Sequence, residues 1–142
     1  MRHYIIALTC LFFFNSCHQF VYKKHLMKDY YLLAVDSKYD MSVALELKDK
    51  TAYIGRIDET VFEVGFDDRF IIAKQYPEGQ KDMIRYFILD SNKDTELAEV
   101  EASVFGPLTE TDFLEKRKSL GISEELKFTI NLKEMFNSKA KN

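Results

Sequence analysis

Alternation of apolar and polar residues dominates the middle of the chain and predicts β-strands. Between residues 41 and 48, Val43, Leu45 and Leu47 alternate with small or polar residues, which is the period of a half-buried strand. Similar runs are bounded by turn residues, and the predicted strands cover 30–36, 41–48, 51–57, 62–66, 69–76 and 83–89. Short turns between consecutive strands predict an antiparallel β-meander of about six strands.

The second half of the chain predicts one helix and two further strands. A helix is expected over 109–120, because Thr109 is a favourable N-cap and Asp112 can approximate a capping box with it. Leu108 and Phe113 have the spacing of a hydrophobic staple. A strand is favoured at 100–105, although 96–101 could instead form a helical turn, and a last strand is expected at 126–132. The predicted fold class is α+β, with the helix packed on the meander.

The beginning of the chain has the layout of a secretory signal. Arg2 gives a positive charge, residues 4–14 are an apolar or weakly polar run, and Ser16 precedes Cys17. As a helix this run would span about 16 Å, against roughly 30 Å of hydrocarbon in a bilayer. It is therefore too short for a comfortable transmembrane helix, and a cleaved signal is predicted.

A cysteine directly after such a signal resembles the processing site of bacterial lipoproteins, in which Cys17 would become the lipidated first residue. Cys10 would leave with the signal, so the mature chain would keep one cysteine and form no disulfide. Acyl chains on Cys17 would anchor the protein to membrane lipid. A cleaved signal without lipid is the alternative, because Phe14 and Asn15 depart from the residues usual before a lipidated cysteine.

These features divide the chain into four predicted segments. They are a signal at 1–16, a lipid-anchored tether at 17–28, a single domain at 29–136 and a polar tail at 137–142. Removal of the signal from the 142 residues leaves 126, which is enough for one core. The net charge of −3, which becomes −4 when Arg2 is lost, argues against a nucleic-acid partner.

Four stretches of the chain resemble a group of small bacterial lipoproteins catalogued as a domain of unknown function. They are 64–74, 86–90, 106–113 and 120–122, and the Gly-Pro-Leu-Thr entry into the predicted helix is the most recognisable. The resemblance covers most of the mature chain. It implies a lipid-anchored, exported domain and brings no known active site, substrate or partner.

The stretch 90–101 matches the pattern of a calcium-binding loop. The matching residues are Asp90, Asn92, Asp94 and Glu101. Oxygen ligands at alternate positions with a carboxylate at the end are suited to Ca²⁺. Thr95, however, occupies the position that usually requires glycine for a sharp turn. A plain hairpin loop is the competing interpretation, because Asp and Asn are also favoured in turns.

Catalytic motifs are scarce in the predicted domain. Three acidic pairs lie at predicted turns: Asp58-Glu59, Asp67-Asp68 and Glu124-Glu125. Paired carboxylates can act in acid–base catalysis when they are held across a cleft, but solvated acids are the ordinary content of turns. His18 and His25 both fall in the predicted tether, so no Ser-His or Cys-His nucleophile pair is expected within the domain.

The sequence therefore favours a non-enzymatic, exported and lipid-anchored α+β domain without a cofactor. Its expected role is binding of an envelope protein, as an inhibitor, an immunity-type protein or an assembly factor. The alternatives are a domain that binds a small ligand or Ca²⁺ through 90–101, and a hydrolase that uses acidic residues. The choice between the plasma and the outer membrane stays open.

Overall fold

A computed structural model describes residues 20–137. In this range nine strands form two antiparallel sheets, and three short helices accompany them. The strands are β1 (Tyr22–His25), β2 (Tyr30–Ala34), β3 (Ser42–Glu46), β4 (Tyr53–Ile57), β5 (Val61–Phe66), β6 (Phe70–Gln75), β7 (Arg85–Asp90), β8 (Val104–Leu108) and β9 (Ile130–Asn131). The helices are α1 (Val100–Ser103), α2 (Glu110–Ser119) and α3 (Lys133–Asn137), and 3₁₀ turns occupy Lys38–Asp40 and Pro77–Gly79. The predicted α+β class is confirmed, but the strands form two sheets and the helices number three in this part of the chain.

The first four strands form sheet A, in the order β1-β2-β3-β4. β1 pairs antiparallel with β2, with His25 opposite Tyr31, and Leu26 and Met27 after it are buried. The folded unit thus includes residues 22–28 and begins earlier than the predicted boundary at residue 29. The sequence of β1 is mostly polar, so its place in the sheet comes from pairing with β2 and not from a hydrophobic pattern of its own.

The remaining strands form sheet B, in the order β8-β7-β6-β5-β9. β7 lies between β6 and β8, as expected for a strand that is apolar on both faces. The strand favoured at 100–105 is wrong for its first four residues, because α1 forms a helical turn at Val100–Ser103 and β8 begins only at Val104.

The last strand is shorter than the predicted 126–132, because the chain first crosses the face of sheet B. A Cβ atom on Gly65 would lie 2.0 Å from the carbonyl oxygen of Lys127, so this close crossing requires a glycine. The backbone N–H of Thr129 then donates to the carbonyl of Val64 at 3.0 Å. The segment reaches the edge of the sheet only at Ile130, where regular pairing with β5 begins.

Two hydrophobic clusters give the domain three layers. The first lies between the sheets and includes Leu32, Val43 and Ile57 of sheet A against residues of sheet B such as Phe62 and Leu89. The second lies on the other face of sheet B, where α2 and the segment that follows it cover alternate residues of β6 and β7. Its buried members are Phe70, Ile72, Tyr86, Ile88, Phe113, Ile122 and Leu126.

The helix predicted over 109–120 is confirmed as α2, with Thr109 as its N-cap. The Thr109 hydroxyl oxygen accepts a hydrogen bond from the backbone N–H of Asp112 at 3.2 Å. Leu108 and Phe113 belong to the same hydrophobic cluster, which agrees with the predicted staple. Among residues 20–137 no helix is long and apolar enough to cross a membrane.

Candidate functional site

The residues of the predicted calcium loop lie at the end of β7 and in the segment after it. Asp90 ends β7, Asn92 and Asp94 lie in the turn beyond, and Glu101 lies in α1. Cys17, the predicted lipidation site, falls outside residues 20–137, so its lipidation stays a prediction.

The first of these carboxylates is bound by an arginine. Asp90 is fully buried, and its two oxygens accept hydrogen bonds from Arg69 Nε at 3.0 Å and Nη2 at 2.9 Å. Asp90 Oδ1 also accepts from the backbone N–H of Asn92 at 3.2 Å. The hydrogen bonds from Arg69 hold the pKa of Asp90 below its ordinary value. Asp90 is therefore part of a two-point ion pair that fixes the start of the loop.

This lowered pKa predicts how the stability responds to acid. The ordinary pKa of an unfolded aspartate is about 3.9. Because the folded pKa of Asp90 is lower, its contribution is present above pH about 4 and is lost as the pH falls through the folded pKa. The stability difference between the wild type and Asp90→Asn should thus be largest at neutral pH and shrink in acid. Urea denaturation at a series of pH values measures it.

A neighbouring aspartate provides the control for this pH experiment. Asp68 is exposed in the turn between β5 and β6, so Asp68→Asn should leave both the stability and its pH dependence near those of the wild type. A difference for Asp90→Asn that stays constant from neutral to acid pH would contradict the assigned role of the Arg69 ion pair.

A buried ion pair connects the loop to sheet A. Arg56 Nε donates to Asp94 Oδ2 at 2.7 Å, with 2% and 0% of the two side chains exposed. Tyr30 donates its hydroxyl to the same oxygen at 2.7 Å, and Arg56 Nη2 donates to the carbonyl of Thr95 at 2.8 Å. Burial is the main cause of the raised pKa of Tyr30. Two strands of sheet A thus hold the loop that leaves sheet B.

The remaining residues of the predicted calcium loop do not join these two aspartates around a common centre. Asn92 Oδ1 accepts from Lys28 Nζ at 3.1 Å, while Glu101 is exposed on α1 and lines a separate cavity. Within the described part of the chain, no group of three or more His, Cys, Asp or Glu residues is placed to hold a metal ion. Calcium binding stays a prediction, and in this structure a cationic side chain of the protein donates to at least one oxygen of Asp90, Asn92 and Asp94.

The acidic pairs lie at three separate turns. Asp58-Glu59 joins β4 to β5, Asp67-Asp68 joins β5 to β6, and Glu124-Glu125 follows α2. Asp67 and Glu125 line one open depression of about 310 Å³. Asp67 also closes its own turn, because its Oδ1 accepts the backbone N–H groups of Arg69 and Phe70 at 2.8 and 2.6 Å. This aspartate therefore has a structural role that accounts for its position.

The outer face of sheet A carries a surface that the sequence did not indicate as a site. We call it the aromatic face, and it consists of Phe20, Lys23, His25, Tyr31 and Tyr53. Tyr31 and Tyr53 meet edge to face with ring centroids 5.5 Å apart, and Phe20 meets Tyr53 in the same way at 5.3 Å. His25 meets the edge of Tyr31 at 5.1 Å. The rings thus support one another on a face that lies opposite the core.

A chain of hydrogen bonds passes through the centre of the aromatic face. Lys23 Nζ donates to the hydroxyl of Tyr53, which donates to Glu46 Oε1 at 2.7 Å. Lys23 Nζ also lies 4.8 Å from the ring centroid of Tyr31 and 4.9 Å from that of Tyr53. The hydrogen bond to Tyr53 raises the pKa of Lys23, so this ammonium group is charged at neutral pH. The aromatic face therefore combines flat rings with a fixed positive charge.

An open groove of about 540 Å³ adjoins the aromatic face. Phe20 and Tyr53 line it together with Leu33, Ala44 and Gly55 on the same face of the sheet. One sequence feature could have indicated this surface. The run Tyr30–Ala34 is apolar on both faces of its strand, although the core between the sheets contacts only one face of sheet A. The sequence pattern places His25 in the tether and therefore does not predict β1. His25 lies in β1, which completes the aromatic face.

Comparison with protein-family models identifies the family to which this chain belongs. The family model described as "Protein of unknown function (DUF3997)" matches residues 27–135. The chain belongs to the DUF3997 family. The expected resemblance to a domain of unknown function is thus confirmed over most of the described fold. No curated protein and no solved structure gives a significant match.

The DUF3997 match includes some of these structural features and leaves others out. It contains the Arg56–Asp94 and Arg69–Asp90 ion pairs and the Gly-Pro-Leu-Thr entry into α2. It begins after β1, so Phe20, Lys23 and His25 precede the part of the DUF3997 domain that the family model covers. Much of the aromatic face therefore comes from the segment that connects the DUF3997 domain to the predicted anchor.

Proposed function

We propose that this chain is an exported protein, lipid-anchored at Cys17, that binds another protein of the cell envelope through the aromatic face. The observation that carries the proposal is the cluster of aromatic rings around a charged lysine on the face of sheet A that points away from the core between the two sheets. An inhibitor, an immunity-type protein or an assembly factor would each use such a surface.

The composition of the aromatic face supports a protein partner. Tyrosine and other aromatic residues are enriched at the energetic centres of protein interfaces, because they bury a large area with few rotatable bonds. The rings of Tyr31 and Tyr53 already restrain each other, which reduces the entropy that binding would remove. The adjoining groove is concave, so it suits a projecting apolar side chain of a partner.

The charges suggest the character of the partner. Lys23 places a positive charge on the aromatic face, so an acidic group of the partner beside an apolar side chain would match it. Phe20 stands three residues after Cys17, and three residues span at most about 11 Å. An anchor at Cys17 would therefore keep the aromatic face near the membrane, where a membrane-embedded or membrane-bound protein is within reach.

Site-specific photo-crosslinking in cells tests this proposal. A photoreactive amino acid in place of Tyr31 should give a crosslink to one defined envelope protein, because Tyr31 lies at the centre of the proposed interface. The matched position is Leu114, which is 57% exposed on α2, on the far side of sheet B. That position should give no such product. Lys23→Glu should reduce the Tyr31 product by about tenfold, since it reverses the charge offered to the partner.

Three results would contradict the proposal. Equal products from Tyr31 and Leu114 would show that the crosslinks are non-specific. A crosslink from Tyr31 to phospholipid alone would make the aromatic face a membrane contact. An unchanged product with Lys23→Glu would exclude the assigned role of this charge. The Cys17→Ala variant tests the anchor separately, because loss of membrane attachment should lower the yield without altering the crosslinked partner.

A further inference from the structure

β1 is the first strand of sheet A, and within residues 20–137 it pairs with another strand on one side only. The backbone N–H and C=O groups at such an open edge can bind an additional strand. In sheet B, the edge strand β8 contains Pro107, which has no N–H, and the edge strand β9 has only two residues. β1 has four residues and no proline, so it offers a longer row of backbone groups.

The register of β1 against β2 identifies the residues whose backbone groups face the open edge. The N–H of Leu26 donates to the carbonyl of Tyr30 at 2.9 Å, and Lys24 lies two residues earlier in the same register. Hydrogen-bonded positions alternate along an antiparallel pair, so the backbone groups of Lys24 point toward β2. Lys23 and His25 therefore each present an N–H and a C=O group at the open edge.

The same two residues carry their side chains on the aromatic face. The ring of His25 meets the edge of Tyr31, and the ammonium group of Lys23 lies near the rings of Tyr31 and Tyr53. Neighbouring strands of a sheet are about 4.8 Å apart, so a strand added beside β1 would place alternate side chains next to these groups. The open edge and the aromatic face are thus adjoining parts of one surface.

The charges of β1 restrict which strand can pair with it. Lys23 and Lys24 are exposed, and neither takes part in a salt bridge within residues 20–137. β1 contains no acidic residue. A second copy of this chain, paired through its own β1, would bring basic residues together, which is unfavourable. Acidic side chains beside these lysines would be favourable, so the charges select an acidic strand.

We propose that the partner of the aromatic face adds an extended acidic segment to sheet A, as a fifth strand beside β1. This inference rests on the proposed function and specifies how the partner is held. Hydrogen bonds between the backbone of the segment and that of Lys23 and His25 provide affinity. Acidic side chains beside Lys23 provide selectivity, and apolar side chains at the alternate positions lie on the side of Tyr22, which packs against the first cluster.

A short peptide of alternating glutamate and valine, blocked at both ends and fluorescently labelled, is the probe. The purified full chain in detergent should bind this peptide saturably, as measured by fluorescence anisotropy. In NMR measurements the peptide should slow the hydrogen exchange of the Lys23 and His25 amides at least about tenfold. The amide of Lys24, which already faces β2, should change less. A control peptide with lysine in place of glutamate should bind at least about tenfold more weakly.

Proline substitutions test the backbone contacts directly. His25→Pro removes an outward N–H group, and proline is tolerated on an edge strand where its nitrogen faces away from the sheet. Compared with His25→Ala, which loses the same ring but keeps the N–H, His25→Pro should bind the peptide about tenfold more weakly. Lys24→Pro checks the register, because it removes an N–H that faces β2. It should lower the thermal midpoint more than His25→Pro does.

Three results with the purified protein would overturn the inference. Absence of saturable binding at millimolar peptide would show that the edge does not accept a strand. Equal binding by His25→Pro and His25→Ala would show that the outward N–H is not used. Equal binding of the glutamate and lysine peptides would exclude selection of an acidic segment.

The crosslink from Tyr31 in cells separates this inference from the proposed function. Equal crosslink yields in His25→Pro and His25→Ala would mean that the partner binds the aromatic face without adding a strand, and the inference would be wrong. If the peptide binds as expected but Tyr31 gives no crosslinked protein, the edge binds acidic strands and the proposed envelope partner is wrong.

Discussion

Replacement of Arg56 by methionine should lower the free energy of unfolding by about 3–5 kcal/mol. Arg56 is almost fully buried, and its removal would leave the buried carboxylate of Asp94 without a cation. Tyr30 would then be the one remaining donor to that carboxylate among the described side chains, and the carbonyl of Thr95 would lose its contact with Arg56. Urea denaturation of the purified protein measures the change, and an unchanged m-value would show that the two-state comparison holds.

Two further variants separate the ion pair from the simple loss of an arginine. Arg85→Met also replaces an arginine by methionine, but at a half-buried position. Arg85 lines the same cavity of about 260 Å³ as Arg56, and its replacement should alter the free energy of unfolding by less than about 1 kcal/mol. The double variant Arg56→Met with Asp94→Leu should recover much of the loss, because apolar replacement of both partners removes the unpaired charge. Additive losses in the double variant would contradict the assigned coupling.

Phe113→Ala should destabilise the protein by about 3–5 kcal/mol. Phe113 is 2% exposed, and its ring centroid lies 4.9 Å from that of Tyr86 on β7. It also lies 6.0 Å from the centroid of Phe128. Truncation would open a cavity between α2 and sheet B at the centre of the second cluster. Typical domains have about 5–15 kcal/mol of stability, so this loss would be visible as a large shift of the urea midpoint.

The next residue of the same helix provides the control. Leu114 is 57% exposed, and Leu114→Ala removes a similar apolar side chain while keeping a good helix former. Its effect should remain within about 0.5 kcal/mol. Equal losses for Phe113→Ala and Leu114→Ala would mean that Phe113 is not the side chain through which α2 is buried against sheet B.

Much of the local structure could be predicted from the sequence, because the residues that specify it lie close together in the chain. The N-cap Thr109 and the residues that complete the start of α2 fall within four positions of one another. The strands from 30 to 89 are predicted from short apolar or alternating runs bounded by turn residues. β1 was missed because a four-residue strand with three basic residues has no such alternation, and its partner β2 alone places it in the sheet.

The candidate sites could be predicted from the sequence only in part. The stretch 90–101 was recognisable as unusual, but the residues that bind its aspartates are remote in the sequence. Arg69 is 21 residues from Asp90, and Arg56 is 38 residues from Asp94. An acidic loop with alternate oxygens looks the same in the sequence whether calcium or an arginine is its partner. The open edge of β1 likewise has no counterpart in any sequence pattern, because pairing with β2 defines it.

The sequence by itself determined the α+β class and the position of α2. These depend on the spacing of neighbouring residues, which the chain order specifies directly. The tertiary structure decided how the strands divide into two sheets, which face of sheet A carries the aromatic rings and which cations neutralise Asp90 and Asp94. Those features depend on contacts between distant residues, and the packing of both clusters selects them because only one arrangement buries the apolar residues of both sheets and α2 together.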